Sequence, residues 1–333
     1  MFENQSMPKS LKILILSLIA ITAPLLVSAQ NAEALFSQYY QLPTLYNAGA
    51  TGSTDYLRIR GGARLQWIGI DNAPKSFTGT ADMPVQIGKK RIGIGVALMQ
   101  EGIGLFSNLD LGVQASYKIN LFKGQLSIGV QGAYLNTKFK GSEVILPDGD
   151  DYHDTDEAIP TQDLSGNSID LSAGLWYTHP KFYVGISGRH LMAPTITMSL
   201  EGSESSETQE YDIKLDRTLY FTAGSNIPLK NTLFELQPSV IVMTDLTDFT
   251  GQIDMRARYN RLFSFGLGYR YKSGINVSLA AEIKNFYLGY SYEYPLSAIA
   301  KASSGSHELV AGYSLKLDFS QKNKNKHRSI RFM

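Results

Sequence analysis

The sequence predicts an all-β protein: a transmembrane antiparallel β-barrel of about 14 strands, with a non-strand N-terminal segment after a signal peptide. Three observations predict it. Residues 285–294, Asn-Phe-Tyr-Leu-Gly-Tyr-Ser-Tyr-Glu-Tyr, alternate apolar with small or polar side chains, and 306–319 repeat the pattern. Segments of about ten residues with this period suit strands that cross a bilayer at a tilt. Glycine (30) and tyrosine (19) are abundant and charge is modest at 18%, and after the first thirty residues no run is long and apolar enough for a spanning helix.

The chain begins with an export signal, residues 1–29. Lys9 and Lys12 give a basic start, 13–27 an apolar run broken by Pro24, and Val27-Ser28-Ala29 a small-residue cleavage site. No cysteine follows for lipid attachment, and none occurs anywhere, which removes disulfides, thiol catalysis and thiolate metal sites. A net charge of +1 gives no reason to expect nucleic acid. Residues 30–54 are not strand-like and read as an ordered N-terminal segment, inside the lumen or across its periplasmic mouth.

Residues 55–319 form the barrel. Candidate strands are 55–67, 76–85, 91–100, 106–121, 125–140, 168–179, 181–190, 216–227, 232–244, 250–260, 262–272, 275–284, 285–294 and 306–319. One face of successive strands is apolar, as in Leu109, Leu111, Val113 or Phe263, Phe265, Leu267. The other is polar, as in Asp110, Gln114, Lys118 or Asp254, Arg256, Arg258. A barrel of about fourteen strands is too wide for side chains alone to fill, so the apolar face belongs in lipid and the polar face in the lumen. A soluble β-sandwich is the disfavoured reading. Loop lengths alternate in support. Connections after even strands are tight and mostly carry Lys or Arg, whereas those after odd strands, such as 68–75, 101–105, 141–167 and 191–215, are mostly longer. Short turns belong to the periplasmic side. Residues 320–333 then make a basic periplasmic tail, a solubilising segment or a docking arm for a periplasmic or peptidoglycan-bound protein.

Little points to chemistry. Ser306-His307-Glu308 is the nearest approach to a hydrolytic trio, but neighbours on a strand face opposite ways, so no enzyme is expected. No cofactor is implied. The acidic stretch 148–157, with Asp148, Asp150, Asp151, Asp154 and Asp156, offers oxygen ligands for calcium but lacks an EF-hand register, and a solvated acidic loop is the favoured reading.

Several stretches together resemble the PorP/SprF family of the Bacteroidetes type IX secretion system. They are Phe36-Ser37-Gln38-Tyr39, Tyr46-Asn47, the stretch Gln66-Trp67-Ile68-Gly69-Ile70-Asp71-Asn72-Ala73-Pro74-Lys75, Ile92-Gly93-Ile94-Gly95, and Ser304 to Glu308 with Gly312-Tyr313. The chain departs at Asn47-Ala48-Gly49, where the family's proline and tyrosine are missing. The resemblance implies a non-enzymatic outer-membrane barrel. Its partners would be type IX components and a secreted cargo with a type B C-terminal signal, such as a gliding adhesin. Trp67, Gly69, Asp71, Pro74 and Lys75 are the candidate partner-binding residues, in an extracellular loop that folds inward as a plug or faces the cargo. The competing function is a transport barrel for small hydrophobic or polar solutes.

Overall fold

Alternation builds the wall. In a computed structural model, residues 33–88, 90–144, 160, 162–200 and 210–317 are described. The expected signal peptide 1–29, the calcium candidate 148–157, residues 201–209 and the basic tail 320–333 lie outside the described residues.

Among the described residues, fourteen of the seventeen strands form one closed antiparallel wall. They are β1 (Tyr56–Leu65), β2 (Lys75–Ile87), β3 (Lys90–Ile103), β4 (Phe106–Leu121), β5 (Gly124–Phe139), β6 (Leu164–Thr178), β7 (Phe182–Arg189), β10 (Thr218–Ser225) with its two-residue continuation β11 (Ile227–Pro228), β12 (Phe234–Thr244), β13 (Phe249–Tyr259), β14 (Phe263–Arg270), β15 (Gly274–Ile283), β16 (Phe286–Pro295) and β17 (Ser306–Lys316). The first and last strands close the ring, from Tyr56 opposite Lys316 to Leu65 opposite His307. Each predicted strand has its counterpart, with ends shifted by a few residues.

The faces separate as lipid requires. Val113 (66% exposed), Ile169 (67%) and Leu279 (58%) point outward, while Gln114, Gln131 and Asp170 on β4 to β6 and Arg256 and Glu308 on β13 and β17 are buried inside. An apolar exterior around a polar interior is the reverse of a water-soluble barrel. On β16, Phe286, Leu288, Tyr290 and Tyr294 are exposed and Glu293 is buried.

Two loop expectations are corrected. Residues 101–105 are not a long loop: β3 continues to Ile103 and only Gly104-Leu105 turn the chain, Gly104 at a φ of 59° where an L side chain is strained. Residues 191–215 are not loop throughout but hold a hairpin, β8 (Thr195–Leu200) and β9 (Tyr211–Lys214). Ile196 and Met198 are buried against Ala133, Leu135 and Leu164 on the lumen side of β5 and β6. Burial of this apolar face wins over the acidic, loop-like composition around it. Gly166 makes room, since a Cβ there would lie 2.4 Å from the Thr197 carbonyl oxygen.

Candidate functional site

The lumen is occupied by the chain's own N-terminal segment. Residues 34–54 contain no charged side chain, yet they lie in a charged interior. The solution is that wall side chains bind the segment's backbone. Three short helical pieces, Tyr39–Gln41, Pro43–Tyr46 and Ala48–Ala50, fold it compactly. Phe36, Leu42, Leu45 and Tyr46 pack with lumen-facing wall residues, among them Met99, Tyr220, Ile241, Met243 and Val310, in one apolar cluster.

The contacts follow the barrel axis. At the periplasmic end, Gly52 N–H donates to Asp82 at 2.7 Å, and Arg58 pairs with Asp82 at 2.8 Å. In the middle, Thr51 Oγ1 donates to Gln114 Oε1 at 2.7 Å, Gln114 Nε2 donates to Thr44 O at 2.7 Å and Ser116 Oγ to Thr51 O at 2.7 Å. Asn47 accepts from Gly49 N–H at 2.8 Å and donates to Leu175 O at 3.0 Å, which ties the last helical turn to β6. The Arg256 guanidinium stacks 3.3 Å above the Tyr40 ring.

Towards the extracellular end the Glu308 carboxylate accepts two successive backbone amides, Ser37 N–H at 2.6 Å and Gln38 N–H at 2.8 Å. Arg64 bridges Glu308 at 3.2 Å and Glu293 at 2.9 Å, and Arg270 reaches Glu293 at 3.3 Å. Arg64 and Glu308 are each 1% exposed. Charges so placed persist only because every one is matched. A second cluster holds Glu33, the first described residue, against His190 at 2.6 Å, Arg189 and the Tyr220 hydroxyl. Arg189 also pairs with Asp110. Burial alone would raise the Glu33 pKa, but Arg189 and His190 outweigh it and hold the group at about 2. The folded value lies below the ordinary 4.5. Glu33 therefore contributes stability that is present above about pH 4.5 and lost as the pH falls towards 2. Acidification over that window is expected to loosen this end of the segment first, seen as protease cleavage near residue 33 before the barrel unfolds.

Wall glycines make the bed. A Cβ on Gly93 would stand 2.0 Å from Thr51 O, one on Gly129 2.3 Å from the Ala48 carbonyl, one on Gly174 2.0 Å from Asn47 Oδ1 and one on Gly289 2.1 Å from Gln38 Oε1. No side chain fits at these positions while the segment is in place.

The five residues singled out in the sequence sit elsewhere, in or beside the extracellular loop 66–74. The loop does not plug the lumen; it lies on the rim and is tied down by its backbone. Ile68 N–H donates to Gly305 O at 2.9 Å, Ser304 N–H to Ile68 O at 2.7 Å, Gly104 N–H to Asn72 O at 3.1 Å and Gln66 N–H to Pro74 O at 2.9 Å. Trp67 N–H donates to Ser306 Oγ at 3.2 Å. Trp67, Gly69 and Asn72 all have positive φ, 47°, 103° and 55°. Trp67 and Pro74 are half-buried, while Gly69, Asp71 and Lys75 are exposed. Ser306, His307 and Glu308 do not converge: Ser306 and Glu308 face inward and His307 pairs with the Tyr290 hydroxyl outside, at 2.7 Å.

The stretches that tie down this loop and fill this lumen match a known family along the barrel. The profile of the type IX secretion system membrane protein PorP/SprF matches residues 28–313. The chain belongs to the PorP/SprF family. It is an outer-membrane barrel of that secretion system's family, and the charge clamps and glycine bed above are features of this PorP/SprF chain. No curated protein matches it significantly. Among solved structures it is similar to the toluene transporter TbuX of Ralstonia pickettii (11% identity, TM-score 0.47, covering 82% of this chain and 92% of that one). It is also similar to the Pseudomonas putida toluene transporter TodX (9%, 0.47, 82% and 95%) and to Omp33 of Acinetobacter baumannii (8%, 0.40, 80% and 100%). At these scores the likenesses carry no functional inference.

The sequence reading missed the clamp. Its signal was present as isolated charges on lumen faces, Arg64, Glu293 and Glu308, opposite a stretch with no charge of its own.

Proposed function

We propose that this barrel is a non-conducting mount in the outer membrane that holds a secreted surface protein through the extracellular loop 66–74. The observation that carries the reading is the loop's state: its backbone is fixed to residues 304–306 and to Gly104, while Asp71 and Lys75 stay exposed. A surface ordered before binding loses little entropy on contact. The filled lumen favours anchoring over solute passage. The cargo is a type IX substrate with a type B C-terminal signal, gliding adhesins being one such class, and other secretion components deliver it. The roles follow from position. Trp67 and Gly69 set the loop's backbone, Pro74 restricts its exit, and Asp71 and Lys75 contact the cargo.

The test is surface display of cargo in cells carrying Asp71→Ala with Lys75→Ala, scored against barrel abundance. Display is expected to fall at least about tenfold, as loss of two interface contacts of about 1 kcal/mol or more each would give. Normal display from a normal amount of barrel would overturn the proposal.

A further inference from the structure

The periplasmic rim carries a cation in or beside each of its six turns, among them Lys90, Lys123, Lys181, Lys230, Arg261 and Lys284. All six are exposed. The turns hold no acid. Among the described residues at this end, Asp55 pairs with Arg91 at 2.7 Å and Glu235 with Arg258 at 2.7 Å, while Glu282, also near Arg258 at 3.8 Å, stays partly exposed. The opposite rim differs, because its exposed cations share the surface with acids such as Asp71, Glu143, Asp212 and Asp216.

Three of these cations sit in backbone that is strained for a side chain. Lys123, Arg261 and Lys284 have φ of 63°, 56° and 56°, in the left-handed region where a tight hairpin prefers glycine or asparagine. Three separate turns accept that strain in a basic residue. Beside Lys123, Phe122 is also left-handed, at 45°, and 83% exposed at the turn tip. Just above the turns runs a lipid-facing aromatic girdle that includes Tyr117, Phe182, Phe234, Tyr259, Phe263 and Phe286. Lys90 Nζ lies 5.6 Å from the Tyr117 ring centre, at the boundary between girdle and turn.

We infer that the periplasmic rim is a ring of binding sites for anionic phospholipid headgroups. The cations sit at the depth where an aromatic girdle meets headgroups, and their long stems let the charge reach the phosphate level. They circle the whole perimeter, whereas an acidic protein partner would call for charges gathered on one side. Phospholipid, unlike a docked protein, surrounds the barrel on every side. The inference is independent of the reading of loop 66–74.

The test places the full chain in phosphatidylcholine nanodiscs with and without phosphatidylglycerol and counts retained lipids by native mass spectrometry. The wild type is expected to retain phosphatidylglycerol about tenfold in preference to phosphatidylcholine, with the preference fading at high salt. A Lys123→Gln, Arg261→Gln, Lys284→Gln chain, with the basic tail still present, is expected to lose most of it while keeping the folded electrophoretic mobility of a barrel. A Phe122→Asn, Lys123→Gly chain supplies the pair such a turn prefers. It is expected to be at least as heat-stable as the wild type and yet to retain less phosphatidylglycerol. Equal lipid preference in wild type and triple variant would overturn the inference. So would a wild type that shows no lipid preference but captures an acidic protein which the triple variant does not.

Discussion

Replacing Glu308 by alanine is expected to cost about 3–5 kcal/mol and to release the extracellular half of the lumen segment, because one partner of a buried, hydrogen-bonded ion pair is removed. Three interactions end on that carboxylate: the amides of Ser37 and Gln38 and the Arg64 guanidinium. Without it both amides face a cavity, and Arg64, 1% exposed, keeps only Glu293 as a carboxylate partner. Glu308→Gln should fall between the two, since an amide oxygen still accepts a backbone N–H but brings no charge to Arg64. Thermal unfolding in detergent gives the stability, and limited proteolysis around Tyr39–Gln41 reports release. An alanine variant as stable and as protected as the wild type would mean that the segment is held by packing alone.

The second large effect is opening of the pore by a side chain that fills the glycine bed. Gly129→Val and Gly174→Val place methyl groups where the Ala48 carbonyl and the Asn47 side chain now lie. Wall backbone cannot retreat without breaking its ladder, so the segment has to leave. Gly132→Val is the control: it lies on the same strand, faces outward, and has nothing within 4 Å of the added Cβ. In planar bilayers the wild type and Gly132→Val are expected to stay closed and the other two to show steady ion currents, as does a chain lacking residues 34–53. A closed fourteen-strand wall is wide enough to pass ions once emptied. Steady current through the wild type would instead favour the solute-transport reading. The two experiments separate charge from shape, since the glycine variants leave Glu308 and Arg64 in place.

Loop 66–74 and the lumen segment therefore divide the work. The segment fills the interior and braces the wall on two sides: at Ser37 it meets the run of strands β14 to β1, through Arg270, Glu293, Glu308 and Arg64, and at Asn47 it reaches β6 across the ring. Ser306 receives Trp67 N–H two residues before Glu308 receives Ser37 N–H. The start of β17 thus supports the outer loop on one side and the lumen segment on the other. Loosening of the segment by Glu308→Ala can in this way be felt at Trp67.

Much of this protein was legible as sequence. Period-two alternation decided which side chains meet lipid, because a strand has only two faces and a bilayer tolerates only one kind. Short and long connections alternated because strands that run up and down alternate ends. The hairpin at 195–214 and the two-residue turn at Gly104-Leu105 were not legible: both depend on what a neighbouring strand offers, and the acidic surroundings of the hairpin masked Ile196 and Met198. For the lumen, the sequence placed residues 30–54 inside it or across its periplasmic mouth but showed none of the contacts that hold them. That an uncharged stretch at 34–54 would sit among Glu308, Asp82 and Arg58 follows from nothing local. It requires fourteen strands to close, so that carboxylates far apart in sequence, Asp82 and Glu308, point at the segment's backbone amides, and glycines on β3, β5, β6 and β16 leave room for that backbone. Alternation in the sequence determined the wall; closure of the wall alone decided what fills it.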